Sequence, residues 1–238
     1  MSDQYTRLRL VREASRLFAE QGLKRVTVRE ICRAARANVA AVNYHFGDKM
    51  GLYREVLQQA IDATVRTNAE ARAAGEGRRP EEKLRRFLTI FLSQLIEPEF
   101  AVYHRLMQRE LQDPTPMLDA FANQGIKPRL EYLAGVVAEM LGVDPGDERV
   151  MQCVGSINAQ AVIYMPNPIA SRLGYEFKAR REDIERAAAH IAAFSIGGVR
   201  AIGKTGTAPV SGATKTGTAP VSSLRRGSRR KNADLRPR

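Results

Sequence analysis

The segment from Thr27 to Lys49 constrains this chain more than any other. It holds two short apolar runs, each opened by a residue able to cap a helix, so it reads as two short helices joined by a tight turn. Thr27 can accept from the free amides at the start of the first helix, and Glu30 three residues on completes a capping box. Asn38 offers the same cap to the second. Ile31, Ala34 and Ala35 supply the buried face of one helix, and Val42 and Phe46 point inward from the other. Upstream, Leu8, Val11, Ala14, Leu17 and Phe18 recur at helical spacing. That spacing predicts a first helix of roughly 15 residues, laid over the pair and ended by Gly22.

The outer face of the second short helix suggests what such a trio could touch. Val39, Ala40 and Ala41 are small, so the helix backbone can approach a surface closely. A helix that reads DNA needs that approach, because base edges lie deep in a major groove roughly 12 Å wide. Asn43 can hydrogen-bond a base or a phosphate, while Arg29, Tyr44, His45 and Lys49 suit phosphate, which positions a reader without specifying sequence. The competing reading is a generic three-helix packing whose Arg and Lys are merely solvated.

The run from Thr27 to Ile31, the run from Asn38 to Lys49, Leu52 and Val56 together resemble the N-terminal domain of TetR-type transcriptional repressors, over residues 7–57. That resemblance implies that Arg29, Val39, Ala40, Asn43, Tyr44, His45 and Lys49 face double-stranded operator DNA. It also implies a larger helical domain that binds a small-molecule effector and forms a homodimer. One position departs from the family: Arg36 stands in the turn where members commonly carry Gly. The site tends to need positive φ, which costs a side-chain-bearing residue roughly 1 kcal/mol. The segment from Arg105 to Asp119, with Asn38 to Phe46, resembles the CecR-like branch of the family.

At 238 residues the chain has room for a reader of about 50 residues and a helical domain about three times that size. The expected divisions are 1–54, 55–202 and 203–238. The formal charge of +12 is unevenly spread. Residues 1–54 carry 11 Lys and Arg against 5 Asp and Glu, a balance of +6; residues 203–238 carry 9 against 1, a balance of +8; the middle is left at −2. A basic reader, a mildly acidic middle and a basic tail suit a DNA-binding protein whose central domain does something else. Cys32 and Cys153 lie in different expected domains and outside any CxxC pattern, so both read as reduced core residues. The N-terminus lacks the order of a signal peptide, and no apolar run approaches the roughly 20 residues that span a bilayer. A cytoplasmic protein with no membrane partner is expected.

The middle reads as all helix. A fourth helix should run from Asp48 past Val65, with Leu52, Val56, Ile61 and Val65 inward, and end before the break at 75–80. Phe87, Ile90, Phe91, Leu95 and Ile96 mark the next, stopped near Pro98; another spans Phe100 to Leu111 before two prolines. Met117 to Leu141 gives a longer helix that Pro128 kinks or divides, and two more follow at 148–164 and 181–202. Val154, Ile157, Ala161 and Val162, with Ala188, Ile191, Ala192, Phe194, Ser195, Gly197 and Gly198, mix apolar with small residues. That composition fits either intrachain packing or, as the resemblance implies, a four-helix interface between two subunits.

Polar residues on otherwise apolar helices are the expected effector contacts: His104, Arg105 and Arg109, then Asn158, Gln160 and Tyr164. Each has a structural alternative, since an arginine beside a turn can cap carbonyls. After Ile202 the composition shifts to Gly, Pro, Ser and basic residues, and the eight residues 204–211 recur at 215–222. This reads as a disordered basic tail able to add sequence-independent DNA affinity by releasing counterions, or to do nothing. His45, His104 and His190 fall in no metal-ligand spacing, and no nucleophile or phosphate-cradling motif occurs. No metal, cofactor or enzymatic activity is expected. The expectation is therefore an all-α chain, with a three-helix reader followed by a ligand-binding and dimerisation domain, that acts as a repressor released by a small molecule. Its rival is a nonspecific basic DNA-binding protein of nucleoid type.

Overall fold

The computed structural model describes residues 3–97, 99–165, 172–174, 177 and 180–205. These residues are helical wherever they are regular: α1 (Asp3–Gln21), α2 (Val28–Ala34), α3 (Val39–Phe46), α4 (Lys49–Gly75), α5 (Pro80–Ser93), α6 (Phe100–Gln112), α7 (Pro116–Phe121), α8 (Lys127–Leu141), α9 (Glu148–Val162) and α10 (Arg181–Thr205). The fold is all-α, with α1, α2 and α3 leading into a larger helical bundle. The expected stop at Pro98 lies outside the described residues; of the tail expected over 203–238, residues 203–205 instead continue α10, and the rest lies outside the described residues.

The caps fall where the side chains can make them. Thr27 accepts from the Glu30 amide while the Glu30 carboxylate accepts from the Thr27 amide at 2.8 Å, closing the capping box of α2. Asn38 Oδ1 accepts from the Ala40 amide at 3.0 Å, and Asp48 Oδ1 from the Gly51 amide at 2.6 Å. Gly22 ends α1 at φ +82°, with its amide donating to the Phe18 carbonyl. Arg36 has φ +47° and is the one side-chain-bearing residue with positive φ among the described residues.

Some expected core positions turn outward, for a geometric reason. Leu10 takes the inward place on α1 beside Val11, Ala14, Leu17 and Phe18, while Leu8 is 54% exposed. Leu8 sits roughly 120° around the helix from that stripe. Ala34 on α2 is likewise exposed, and Cys32 is buried in its stead beside Ile31 and Ala35. Val65 on α4 and Val162 on α9 are exposed because each lies off its helix's buried face: at about 100° per residue, Val162 directly follows the buried Ala161 and Val65 lies about 140° around from Leu52. Ile96, in a short 3-10 turn after α5, is exposed as well.

Pro128 divides the long expected helix in a specific way. α7 passes through a π turn at Ala122–Ile126 and re-enters α-helix at Lys127, so Pro128 sits in a first turn where its missing N–H costs least. The Asn68 side chain on α4 donates to the Gly125 carbonyl at 2.7 Å, tying the π turn to that long helix.

Two buried apolar clusters organise the described residues. One joins α1, α2 and α3 to Leu52, Val56 and Leu57 of α4, and Leu106 of α6 reaches into it. The other is built from α5, α8, α9 and α10, around Leu88, Leu133, Val137, Ile157 and Ile191. Each fully buried Leu or Ile contributes about 1.5–3 kcal/mol relative to exposure. Cys32 lies in the first cluster and Cys153 in the second, both as free thiols.

Candidate nucleic-acid interface and effector cleft

α3 is held from beneath and left open above. Val42 is fully buried and Phe46 half-buried against α1, α2 and α4, whereas Val39, Ala40, Asn43 and Tyr44 are exposed. Tyr44 is the most prominent, at 76% exposure. Arg29 on α2 is exposed too, and so are Arg33 and Arg36, which the sequence reading did not assign to this surface. The face combines small residues, one carboxamide, one phenol and nearby guanidinium groups.

Two of the seven expected contact residues sit differently. The His45 side chain is only 7% exposed; its Nε2 lies 3.3 Å from the Asp3 carboxylate of α1, and its ring packs edge-on to Tyr44. Lys49 is half-buried, and its ammonium donates to the Leu23 and Val26 carbonyls at 2.9 and 3.1 Å. It thereby fixes the α1–α2 connection against the start of α4. The turn before α3 is held similarly, by Arg9 donating to the Arg36 carbonyl at 2.8 Å.

α6 joins this reader to the rest. Arg109 donates through Nε to the Ala19 carbonyl at 2.8 Å and through Nη2 to the Glu20 carbonyl, so it caps the end of α1. Lys24 pairs with Asp113 at 2.7 Å. Glu110, fully buried, accepts from the Tyr53 hydroxyl at 2.6 Å, the Thr115 amide at 3.1 Å and the Thr115 hydroxyl at 2.8 Å. Burial, with the hydrogen bond to Glu110, pushes the Tyr53 phenol well above its ordinary pKa.

A cleft of 590 Å³ opens between α4, α5 and the start of α6, with Arg66, Thr67, Glu70, Ile90, Gln94 and Tyr103 among its lining. Its size suits a small molecule. Gln94 donates to the Thr67 hydroxyl across it. None of the six residues expected to contact an effector lines it. Arg109 is turned to α1, and Arg105 is exposed. His104 stacks on Phe100 and bonds Gln108, and burial holds its imidazole below the usual pKa, with Arg105 adding to the effect. Asn158 accepts from Arg129, and Gln160 bonds Ser195 across the α9–α10 contact. Tyr164 packs edge-on to Phe177 and lines a separate cleft beside α10. The cleft's own polar residues escaped the sequence reading because Arg66 and Glu70 look like the solvated face of a long helix.

Among the described residues no group of three His, Cys, Asp or Glu is placed to hold a metal, and no helix is long and apolar enough to cross a membrane.

The family model for bacterial regulatory proteins of the tetR family matches residues 10–56, and that for the C-terminal domain of the HTH-type transcriptional dual regulator CecR matches residues 80–199. The HTH-type transcriptional dual regulator CecR of Shigella flexneri is 27% identical over 151 residues, covering 60% of this chain and 67% of that protein. Among solved structures, a TetR-family transcriptional regulator from Streptomyces coelicolor superposes with a TM-score of 0.61 at 20% identity, covering 82% of this chain and 96% of its own. A TetR-like transcriptional regulator from Rhodococcus sp. RHA1 gives 0.60 at 18% identity, with 82% and 96% covered. With a matching reader at one end and a matching regulatory domain over half its length, the chain belongs to the TetR family of transcriptional regulators.

Proposed function

We propose that this protein is a homodimeric, ligand-responsive repressor of the CecR-like branch that releases its operator when a small molecule binds the helical domain over residues 55–202. The observation that carries the reading is the outer face of α3. Val39, Ala40, Asn43 and Tyr44 stand exposed on a helix whose inner side is fixed by Val42 and whose start is capped by Asn38. Val39 and Ala40 meet base edges in this reading, Asn43 a base or phosphate, and Arg29 and Tyr44 the flanking phosphates. Lys49 keeps one donor beyond its two carbonyls, and His45 orders the end of α3 through Asp3.

Dimerisation places two readers on half-sites roughly one DNA turn, about 34–36 Å, apart. An exposed stripe of small and apolar residues supports it: Met151, Gly155 and Ala159 on α9, with Ala193, Phe194 and Gly197 on α10. Phe194, at 67% exposure, is the largest side chain on it. α4 is the lever, since it begins at Lys49 beside the reader and lines the cleft from Ala63 to Glu70. An effector acts only by binding one arrangement better than the other, and a coupling of about 1–3 kcal/mol changes DNA affinity about 5–150-fold.

The protein works in the cytoplasm, where its two buried thiols stay reduced. The second reading, a nonspecific DNA-binding protein, draws on the +8 balance of residues 203–238. Selection of genomic fragments by the purified chain, followed by binding titrations on selected and random duplexes, separates the two. Strong preference for one fragment class supports the repressor; equal affinity for both supports the nonspecific binder.

A further inference from the structure

Two charged side chains are buried among the described residues, and only one of them is satisfied. Glu110 has three donors around its carboxylate. Arg129 on α8 is 8% exposed and has five N–H donors, yet makes one side-chain hydrogen bond, from Nη2 to Asn158 Oδ1 at 3.3 Å. Its Nε is buried without a partner, and no carboxylate among the described residues lies within ion-pair distance. The guanidinium rests over the Phe91 ring, 4.7 Å from its centroid. Burial brings it down only to about pKa 10, so it remains charged at neutral pH.

An unpaired charge in such a place costs several kcal/mol, and a cation–π contact offsets roughly 2 kcal/mol at most. A residue at this cost calls for a counter-charge. Leu88 and Leu92 beside Phe91, and Val154 and Ile157 beside Asn158, make the surroundings apolar. The other buried orphan, the Tyr132 hydroxyl, lies against Gly75 at the end of α4, with Arg72 over its ring at 5.4 Å from the centroid.

We propose that Arg129 anchors the effector of this regulator, and that the effector carries a single carboxylate on an apolar body. This inference rests on the ligand-responsive reading above and specifies its ligand class, but it places the carboxylate at Arg129, which is not among the residues lining the 590 Å³ cleft. One guanidinium with free donors matches a planar monoanion, which it can hold by two parallel hydrogen bonds. A phosphate dianion would need a second cation close by, and no neighbouring charge among the described residues acts on Arg129, whose pKa is lowered by burial alone. Asn158 fixes the far edge of the fork, and Phe91 holds its plane. The site also reaches the reader, because α8 begins directly after the π turn that Asn68 ties to α4. A carboxylate drawn to Arg129 therefore bears on the helix that starts at Lys49.

The test uses the full chain and calorimetric titration with octanoate, 1-octanol, acetate and inorganic phosphate, together with Arg129→Met and Arg129→Lys. The expected result is saturable octanoate binding at one site per chain, weakened at least roughly tenfold when the probe is octanol, acetate or phosphate and in Arg129→Met, with Arg129→Lys between. Absence of octanoate binding, equal binding of octanol, or undiminished binding in Arg129→Met would overturn the proposal. If Arg129→Met fails to fold, the octanol comparison and Arg129→Lys decide. DNA binding by the unliganded protein is measured in parallel: operator binding without an octanoate response sinks this inference alone, whereas failure to prefer any DNA sinks the regulator reading.

Discussion

The Tyr53 hydroxyl on α4 donates to the fully buried Glu110 carboxylate on α6 at 2.6 Å, and this pair joins the long helix that follows α3 to the helix that caps α1. The same carboxylate holds Thr115, which starts α7, so three elements meet on one buried anion. Tyr53→Phe should cost about 1.5–3 kcal/mol in urea unfolding, the range for a hydrogen bond to a charged group. Glu110→Ala should cost about 3 kcal/mol or more, since it strands the phenol and the Thr115 donors. A double-mutant cycle should return a coupling of at least about 1 kcal/mol; additive losses would mean that the pair is not a unit.

Arg109→Ala should release the Ala19 and Glu20 carbonyls at the end of α1, at about 1–3 kcal/mol. Because the lost bonds join α6 to the reader, hydrogen exchange should rise in the last turn of α1 and at Gly22. Unchanged protection there would place the importance of Arg109 elsewhere.

Arg36→Gly should stabilise the protein. Relief of the positive φ is worth roughly 1–2 kcal/mol, and the greater freedom of Gly in the unfolded chain returns about 0.4–1 kcal/mol of it, leaving a net gain of up to about 1.6 kcal/mol. The hydrogen bond from Arg9 survives, since it uses the backbone carbonyl. Chemical denaturation reads the effect directly, and a loss of stability would show that the Arg36 side chain contributes something beyond its backbone.

Acid should weaken the fold through His104. Its imidazole is held below the ordinary pKa by burial and by Arg105, so between the unfolded value near 6.5 and the lower folded value the unfolded chain binds more protons. Stability therefore rises with pH across that window and is lost as pH falls through it. His104→Gln should flatten the slope of Tm against pH in this range while leaving the plateau above pH 7 nearly unchanged; an unaltered slope would assign the acid sensitivity to other groups.

The reader was legible in the sequence because its signals are local. Thr27 with Glu30, Asn38 and Gly22 each act within three or four residues, and all three mark real helix ends. Arg36 was marked out by the resemblance, since family members commonly carry Gly at that position, and its φ is +47°. What stayed hidden depends on partners distant in sequence. Arg109 reaches residues 19 and 20, and Tyr53 finds Glu110 across 57 positions, so no periodicity announces either. His45 lies on a helix whose outer face was identified, yet its ring is drawn back to Asp3 at the far end of α1. Nothing in the sequence singles out Arg129, which meets Phe91 and Asn158 from two other helices only in the fold.

The central claim is that α3 reads sequence while neighbouring cations grip phosphate, and salt-dependent anisotropy titration on a selected operator and a random duplex tests it most directly. For Arg29→Ala the account predicts weaker binding to both duplexes and a log–log salt slope reduced by about 1. For Asn43→Ala it predicts a loss of roughly 1–3 kcal/mol on the operator alone, with the slope nearly intact. Equal losses on operator and random DNA for Asn43→Ala, or a wild-type chain that binds both duplexes alike, would contradict it.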